Sequence, residues 1–371
     1  MSQWPEWLPL NTALQPLSPY GAPQVPADAV LNTNENPFPL SAQLAEAIGK
    51  RVESAARNLN RYPDRDATKL RTGLAQFING LSGTSVTEEN IWAANGSNEI
   101  IQSLFLAFGE KCAIGFTPSY SMHPLIARVT QTPWIDGRRR EDFTLDIDLA
   151  KKEIAQNNPS LTFITTPNNP TGSSVTIDEI EELAKSVPGL LVIDEAYAEF
   201  SDEISAVSLI DKYPNVVVIR TMSKAFSFAG VRLGYLVADK SVIDALFLVR
   251  LPYHLSTLTQ VAAEVALEYR DELLGNVAAL VANRTWVEGE LKALGLDVIP
   301  SKANFLLFSG FDIPAPTLWK SLLDAGVLIR DVGLSGYLRV TIGSEAENTL
   351  FIQALTKIIN ESRLKTTSQD K

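Results

Sequence analysis

The chain reads as an α/β protein: a large domain with a mostly parallel mixed sheet between helices, followed by a smaller α+β domain. Three observations predict this. Short apolar runs, IWAA (91–94), AIGF (113–116), TFIT (162–165), LLVI (190–193) and VVVI (216–219), alternate with helix-like segments such as EIIQSLFLAFG and TIDEIEELAKSV. Strands alternating with helices build a parallel sheet covered on both faces. A long helical section over 256–294 then breaks the alternation, and the last quarter mixes strands (NFLLF, VLIR, YLRVTI) with helices. At 371 residues the chain is long enough for two such units and their cores.

The amino end is of a different kind. Eight of the 21 prolines fall within the first 39 residues, seven of them in WPEWLPL, PLSPYGAP and NENPFPL. Proline fixes φ and removes a donor, so this stretch is predicted to be an extended arm rather than a helix. With Trp4, Trp7, Leu8 and Leu10 it is too apolar for a free tail, and it is expected to lie across its own domain or a partner subunit. Helical patterning begins in SAQLAEAIGKRVESAA and ATKLRTGLAQFING. The expected division is an arm over 1–40, a large domain over 41–255 and a small carboxyl-terminal domain over 256–371, with the closing KTTSQDK frayed.

Composition removes several classes of function. Lys and Arg number 32 against 43 Asp and Glu, a net charge of −11. An acidic surface argues against nucleic acid or anionic membranes as the main partner. Cys112, His123 and His254 are the whole cysteine and histidine complement, so neither an intrachain disulfide nor a Cys/His zinc site is expected, and no metal. No Lys or Arg precedes Lys50 and no apolar run approaches the roughly 20 residues that cross a bilayer, which together point to the cytoplasm. Gly-x-Gly, the Walker A loop and the Gly-x-Ser-x-Gly elbow are all absent. The basic run Arg138, Arg139, Arg140 is followed at once by Glu141 and Asp142 and is read as a solvated turn.

Polar clusters follow the predicted strands. After TFIT comes TPNNPTG, with Asn169 and Gly172; after LLVI comes DEAY, with Asp194 and Tyr197. After VVVIR comes TMSKAF, with Thr221, Ser223 and Lys224, and then Arg232 in AGVRLGY. Ligands of open parallel sheets bind outside the carboxyl ends of the strands, so these groups are expected to share one crevice. A fourth cluster, NGSNE with Ser97 and Asn98, follows IWAA and opens a helix whose free amide donors suit a phosphate. Each cluster alone has an ordinary reading as a turn, a cap or a surface pair. Their joint occurrence at strand ends is what points to a site.

TPNNPTG, DEAY, TMSKAF and RLGY, in this order, resemble the pyridoxal-phosphate aminotransferases of fold type I, and the resemblance runs from about residue 20 to 345. PYGAP, NENP, RYPD, VLIRD and LRVTIG are similar to the histidinol-phosphate aminotransferase branch of that family, in an actinobacterial form in RTMSKAF and VRLPYHL. The resemblance implies pyridoxal 5'-phosphate as cofactor, held covalently by Lys224, which then moves a proton at the substrate carbon. It implies Asp194 beside the ring nitrogen, Asn169 and Tyr197 at the ring phenolate oxygen, and Tyr120 stacked on the ring. Ser97, Asn98, Thr221, Ser223 and Arg232 would hold the cofactor phosphate, joined by Tyr62 from a neighbouring subunit of a homodimer. Arg330 and Arg339 would take the anionic end of the substrate, with Tyr20 and Tyr253 near its imidazole. The implied reaction is transamination of L-histidinol phosphate with 2-oxoglutarate. An aromatic amino-acid aminotransferase and a threonine-phosphate decarboxylase are alternatives on the same catalytic set. A cofactor-dependent transcription regulator would need a DNA-binding domain ahead of residue 41, where none is read.

Overall fold

A computed structural model describes residues 4, 5 and 7–369, with side chains through Leu364. Twelve strands occur among them: β1 (Ala29–Val30), β2 (Ile91–Ala94), β3 (Ala113–Thr117), β4 (Trp134–Arg138), β5 (Leu161–Thr165) and β6 (Leu190–Asp194), then β7 (Val216–Thr221), β8 (Gly234–Val237), β9 (Asp297–Val298), β10 (Phe305–Ser309), β11 (Val327–Leu328) and β12 (Leu338–Thr341). Seven of them form the main sheet in the order β2-β8-β7-β6-β5-β3-β4. β4, β3, β5, β6 and β7 are mutually parallel, and β8 runs antiparallel between β7 and β2. The carboxyl ends of β2, β3, β5, β6 and β7 therefore share one edge, where β8 begins.

The central strands show why the sheet is covered on both sides. Every residue of VVVIRT in β7 is buried. Val216 and Val218 pack into one apolar cluster, with Leu191 and Ile193 of β6, while Val217 and Ile219 pack into a second with Val192. Strand periodicity sends neighbours to opposite faces, so a continuous apolar run serves two helical layers. Leu70 and Leu74 of helix Thr68–Ser82 lie in the first cluster; Ile100 and Leu104 of helix Ser97–Phe108 lie in the second. Helix starts are capped by side chains: Ser41 Oγ accepts from Leu44 N at 3.1 Å, and Thr176 and Glu179 form a capping box.

The last quarter holds a three-stranded antiparallel sheet, β12-β10-β9, and β11 pairs in parallel with β1 of the amino-terminal arm. The arm contains no helix among its described residues, as its prolines predict. Three expectations need correction. β4 and β8 are not among the strands expected from the sequence: β4 is a half-exposed edge strand, whereas β8 lies in the buried apolar run LGYLVA. Nor is the basic run a solvated turn. Arg138 ends β4, and Arg139 turns inward to donate to the carbonyls of Phe116 (3.0 Å) and Phe143 (3.2 Å), burial holding its pKa down at about 10. Finally, the last helix continues from Glu345 to Gln369 where a frayed end was expected from 365; residues 370 and 371 lie outside the described residues.

Ile193 is fully buried one residue before Asp194. Ile193→Ala is expected to cost about 2–5 kcal/mol, through lost transfer energy and the cavity left behind, and to lower the denaturant midpoint accordingly.

Candidate active site

The loops that leave the shared sheet edge are built to aim side chains into one crevice. In TPNNPTG, Asn168 is buried and ties the loop down, donating to Pro118 O (3.0 Å) and Thr171 Oγ1 (2.8 Å) while accepting from Ser119 Oγ (2.8 Å). Gly172 has φ +81°, and a side chain there would meet Ser301 at 2.2 Å, so only glycine fits that turn. The next residue along from Asn168, Asn169, is left facing the cavity. Its Oδ1 accepts from Arg339 Nη1 at 2.6 Å, and its Nδ2 lies 3.5 Å from Tyr197 Oη.

Asp194 closes β6 and is buried. His123 Nε2 lies 3.2 Å from its Oδ2, and Ala196 N donates to its Oδ1 at 3.2 Å. An ionised carboxylate only accepts, so His123 presents Nε2–H to it. His123 was absent from the sequence-derived site. Its contact with Asp194 spans 71 residues, and its ring is enclosed by Phe163 at 4.7 Å and Tyr120 at 5.4 Å, so no local pattern reveals it.

Lys224 follows β7 within TMSKAF, and its Nζ donates to Thr33 O at 2.9 Å. Burial pushes its pKa down to about 8, and the positive charges of Arg339 and Arg232 act in the same direction against Glu35. Thr221 Oγ1 accepts from Ser223 N at 3.1 Å and bonds Ser223 Oγ at 3.0 Å, a closed pair of hydroxyls below the lysine. Tyr120 Oη donates to Asn98 Oδ1 at 3.1 Å.

Helix Ser97–Phe108 begins at this edge with Gly96 as cap residue and no side-chain cap, which leaves first-turn amides for an anion. Gly96 has φ +79°, and a side chain there would come within 2.6 Å of Arg232 Nη2; one at Gly234 would strike Ser97 N at 2.5 Å. Two glycines thus bring the helix start, β8 and the Arg232 guanidinium together. At the other side of the crevice Arg339 is buried, donates also to Asn32 O at 2.8 Å, and keeps Nε without a partner. Burial, with Arg330 adding to it, lowers its pKa to about 10, so it stays charged at neutral pH. Arg232, Arg330 and Arg339 form no ion pair among the described residues.

These groups line one cavity of about 480 Å³: Lys224, Asp194, Tyr197, Asn169, Tyr120, Ser97, Asn98, Thr221, Ser223, Arg232, Arg330, Arg339 and Tyr20 all face it. The donor set fits a phosphorylated pyridine aldehyde. It offers an amine of depressed pKa, an open helix start with a free arginine for the phosphate, and a buried carboxylate for a ring nitrogen. Tyr62 and Tyr253 do not join them. They stack on each other at the surface, centroids 4.4 Å apart, with Tyr62 80% exposed. Within one chain the expected placement of Tyr253 beside the substrate is therefore not met. Among the described residues no group of acidic, histidine or cysteine side chains could hold a metal ion, and no helix is long and apolar enough to cross a membrane.

In the cofactor-free protein Lys224 is expected to react with a small acylating reagent with a pH midpoint near 8, because burial and two neighbouring cations disfavour its protonated form and the neutral amine accumulates above that pH. Arg339→Gln should raise the midpoint by removing one opposing charge. Mass-spectrometric quantification of the labelled peptide checks both, and a midpoint at the ordinary lysine value would contradict them.

The chain matches the family model for aminotransferase class I and II over residues 28–355. It is 55% identical over 351 residues to a histidinol-phosphate aminotransferase of Mycolicibacterium smegmatis, covering 94% of this chain and 92% of that protein. A histidinol-phosphate aminotransferase of Rhodococcus opacus is 54% identical over 354 residues, covering 95% and 93%. Among solved structures, the fold is shared with histidinol-phosphate aminotransferase from Sinorhizobium meliloti in complex with pyridoxal-5'-phosphate, at TM-score 0.83 and 24% identity over 97% of this chain and 99% of that one. An aspartate aminotransferase mutant from Thermus thermophilus has TM-score 0.81 at 22% identity, over 94% and 99%. With its family model spanning most of its length and its lysine, aspartate and arginines gathered at one sheet edge, the chain belongs to the class I and II aminotransferases.

Proposed function

We propose that this pyridoxal-phosphate-dependent aminotransferase transfers the amino group of L-histidinol phosphate to 2-oxoglutarate, giving imidazole-acetol phosphate and L-glutamate, as a cytoplasmic homodimer. The observation that carries the substrate is the more-than-half identity, over nearly the whole chain, to proteins named histidinol-phosphate aminotransferase. The cavity agrees in charge: it has cations at two sides, Arg232 and the Arg330–Arg339 pair, none of them in an ion pair among the described residues. One side suits the cofactor phosphate and the other the substrate anion.

When bound, the cofactor supplies an electron-accepting ring conjugated to the substrate nitrogen. The remaining work belongs to the chain's side chains. Lys224 would hold the cofactor and would move the proton at the substrate carbon; an amine whose pKa burial lowers to about 8 is suited to proton exchange near neutral pH. Asp194, held by His123 and the Ala196 amide, keeps a proton on the ring nitrogen. Tyr197 and Asn169 stabilise negative charge on the ring oxygen, and Tyr120, held by Asn98, packs on the ring. The Ser97 amide, Thr221, Ser223 and Arg232 bind the phosphate.

Histidinol phosphate lacks an α-carboxylate, and a buried arginine left without an anion costs roughly 2–5 kcal/mol. Its phosphate fills the place that glutamate fills with a carboxylate in the other half-reaction, and Tyr20 lies on the imidazole side. Tyr62 completes the phosphate site of the partner subunit. Its exposure and its separation from the cavity of its own chain support that reading, as do Tyr253 stacked on it, the exposed Leu248 and Leu251 that precede Tyr253 in the chain, and the exposed Trp4 and Trp7 of the arm. We keep the division at 1–40, 41–255 and 256–371; helix Thr257–Glu268 packs across the second boundary onto helix Ala42–Ala56.

Purified enzyme is expected to prefer histidinol phosphate to phenylalanine with 2-oxoglutarate as acceptor; the reverse preference would favour the aromatic aminotransferase. Asp194→Ala should keep the fold and lose at least about a hundredfold in rate, whereas Arg339→Ala should weaken both half-reactions in stopped-flow assays. Mixing Lys224→Ala with Tyr62→Phe subunits should yield heterodimers with one intact site and recover activity that neither parent has; an active monomer in sedimentation would rule out the shared site.

A further inference from the structure

We propose that Asn34 is a positioning residue that fixes which way the Tyr197 hydroxyl points, through a one-way chain of hydrogen bonds from Thr341. Asn34 is buried, with φ +56°, a backbone state that asparagine tolerates better than most residues. Its backbone N donates to Thr341 Oγ1 at 3.0 Å, and Thr341 Oγ1 donates to Asn34 Oδ1 at 3.0 Å. The carbonyl end of the Asn34 amide is thereby occupied, and its NH2 end faces Tyr197 Oη, 2.9 Å away. Asn169 is oriented in the same way: Arg339 Nη1 holds its Oδ1 at 2.6 Å, so its NH2 faces the same oxygen at 3.5 Å.

Two amide donors thus converge on Tyr197 Oη, one at normal length and one long. A phenol oxygen accepts through its lone pairs and donates one hydrogen. With Asn34 and Asn169 both donating, that hydrogen has no acceptor on their side and is directed into the cavity. Phe305 packs edge-on against the ring at 5.1 Å. The charged and titratable groups facing Tyr197 are Arg339, Asp194, Tyr20 and Tyr120, and none of them forms a hydrogen bond to its hydroxyl. Tyr197 is therefore set as a donor toward an anionic oxygen before any ligand arrives, and Asn34, which lies outside the strand-end motifs, sets it.

This rests on the assignment of Tyr197 to the ring oxygen of the cofactor, and the test separates the two. The donated bond stabilises negative charge on that oxygen, so losing it lets the bound cofactor hold its proton to higher pH. The readout is the pH midpoint of the cofactor's visible absorption change in the holoenzyme. Asn34→Gly keeps the positive φ and removes the amide; it should raise the midpoint by about half a unit or more, roughly a threefold change in the proton equilibrium. Thr341→Val, which frees the Asn34 amide to flip, should act in the same direction and serves if the glycine variant folds poorly. Tyr197→Phe should give a larger shift, and Asn34→Gly added to it should give none. Asn34→Gly and Thr341→Val midpoints equal to wild type, with Tyr197→Phe shifted, would overturn the role of Asn34. A shift that persists undiminished in the Tyr197→Phe background would do the same, since it would act around the tyrosine rather than through it. If Tyr197→Phe itself leaves the midpoint unmoved, the assignment of Tyr197 to the ring oxygen fails first and takes this proposal with it.

Discussion

The crevice is organised by a buried amine surrounded by cations and paired with no carboxylate. Lys224 donates to a carbonyl, Thr33 O; Arg339 donates to Asn32 O and to Asn169 Oδ1; Arg232 donates to Ala229 O. Burying like charges together is costly, and neutral acceptors offset part of the desolvation without cancelling the charge. A carboxylate in any of these places would stabilise the empty protein and remove the potential that a phosphate needs. In a chain of net charge −11, the cations at this edge stay available to an anion because Asp194, Glu35 and Asp331, which line the same cavity, form no ion pair with them among the described residues.

The opposite face of the same strand ends is where the acidic residues go. Asp194 points into the crevice, and the next residue, Glu195, points away, into a buried cluster with Arg220, one residue before Thr221. Arg220 Nε lies 2.8 Å from Glu195 Oε2 and Nη1 donates to Glu199 Oε1 at 2.9 Å, while Glu195 also accepts from Ala206 N at 2.7 Å. Burial pushes the Glu199 carboxyl up against the pull of Arg220. A buried ion pair is weak evidence for net stability, but breaking it on one side is expensive. It therefore holds β6 and β7 in one register at the point where their reactive side chains emerge.

Strand alternation explains what the sequence made legible. Apolar runs fully buried on both faces announce β2, β3, β5, β6 and β7, and polar residues just past such runs must lie at one sheet edge, so Asn169, Asp194, Tyr197, Thr221 and Lys224 could be gathered without coordinates. β4 escaped because an edge strand such as WIDGR needs only one buried face and mixes charge with apolar residues. His123 escaped because a buried histidine on an aromatic bed has no pattern of its own; only its contact with Asp194 gives it meaning. Tyr62 and Tyr253 were singled out as residues, but their stacking at the surface depends on two loops far apart in sequence.

Asn32–Asn36 shows why a segment read as part of a proline-rich arm, with NENP as a motif of family resemblance, carries so much. Leu31 N donates to Leu328 O and Leu31 O accepts from Thr341 N, stitching the segment into the small sheets of the last quarter. The following residues hand bonds to the crevice in turn: Asn32 O to Arg339, Thr33 O to Lys224, the Asn34 amide to Tyr197, and Asn36 Nδ2 to Ala225 O. Asn304 of the loop before β10 donates to Asn34 O at 3.1 Å and closes the circuit. A chain with no repeating hydrogen bonds of its own must satisfy its buried groups through partners, and here several of those partners, Arg339, Lys224 and Tyr197, are side chains of the site. The irregularity of the segment is thus what lets it bond to the small sheet on one side and to the reactive lysine on the other, so that a shift of either is felt at Lys224.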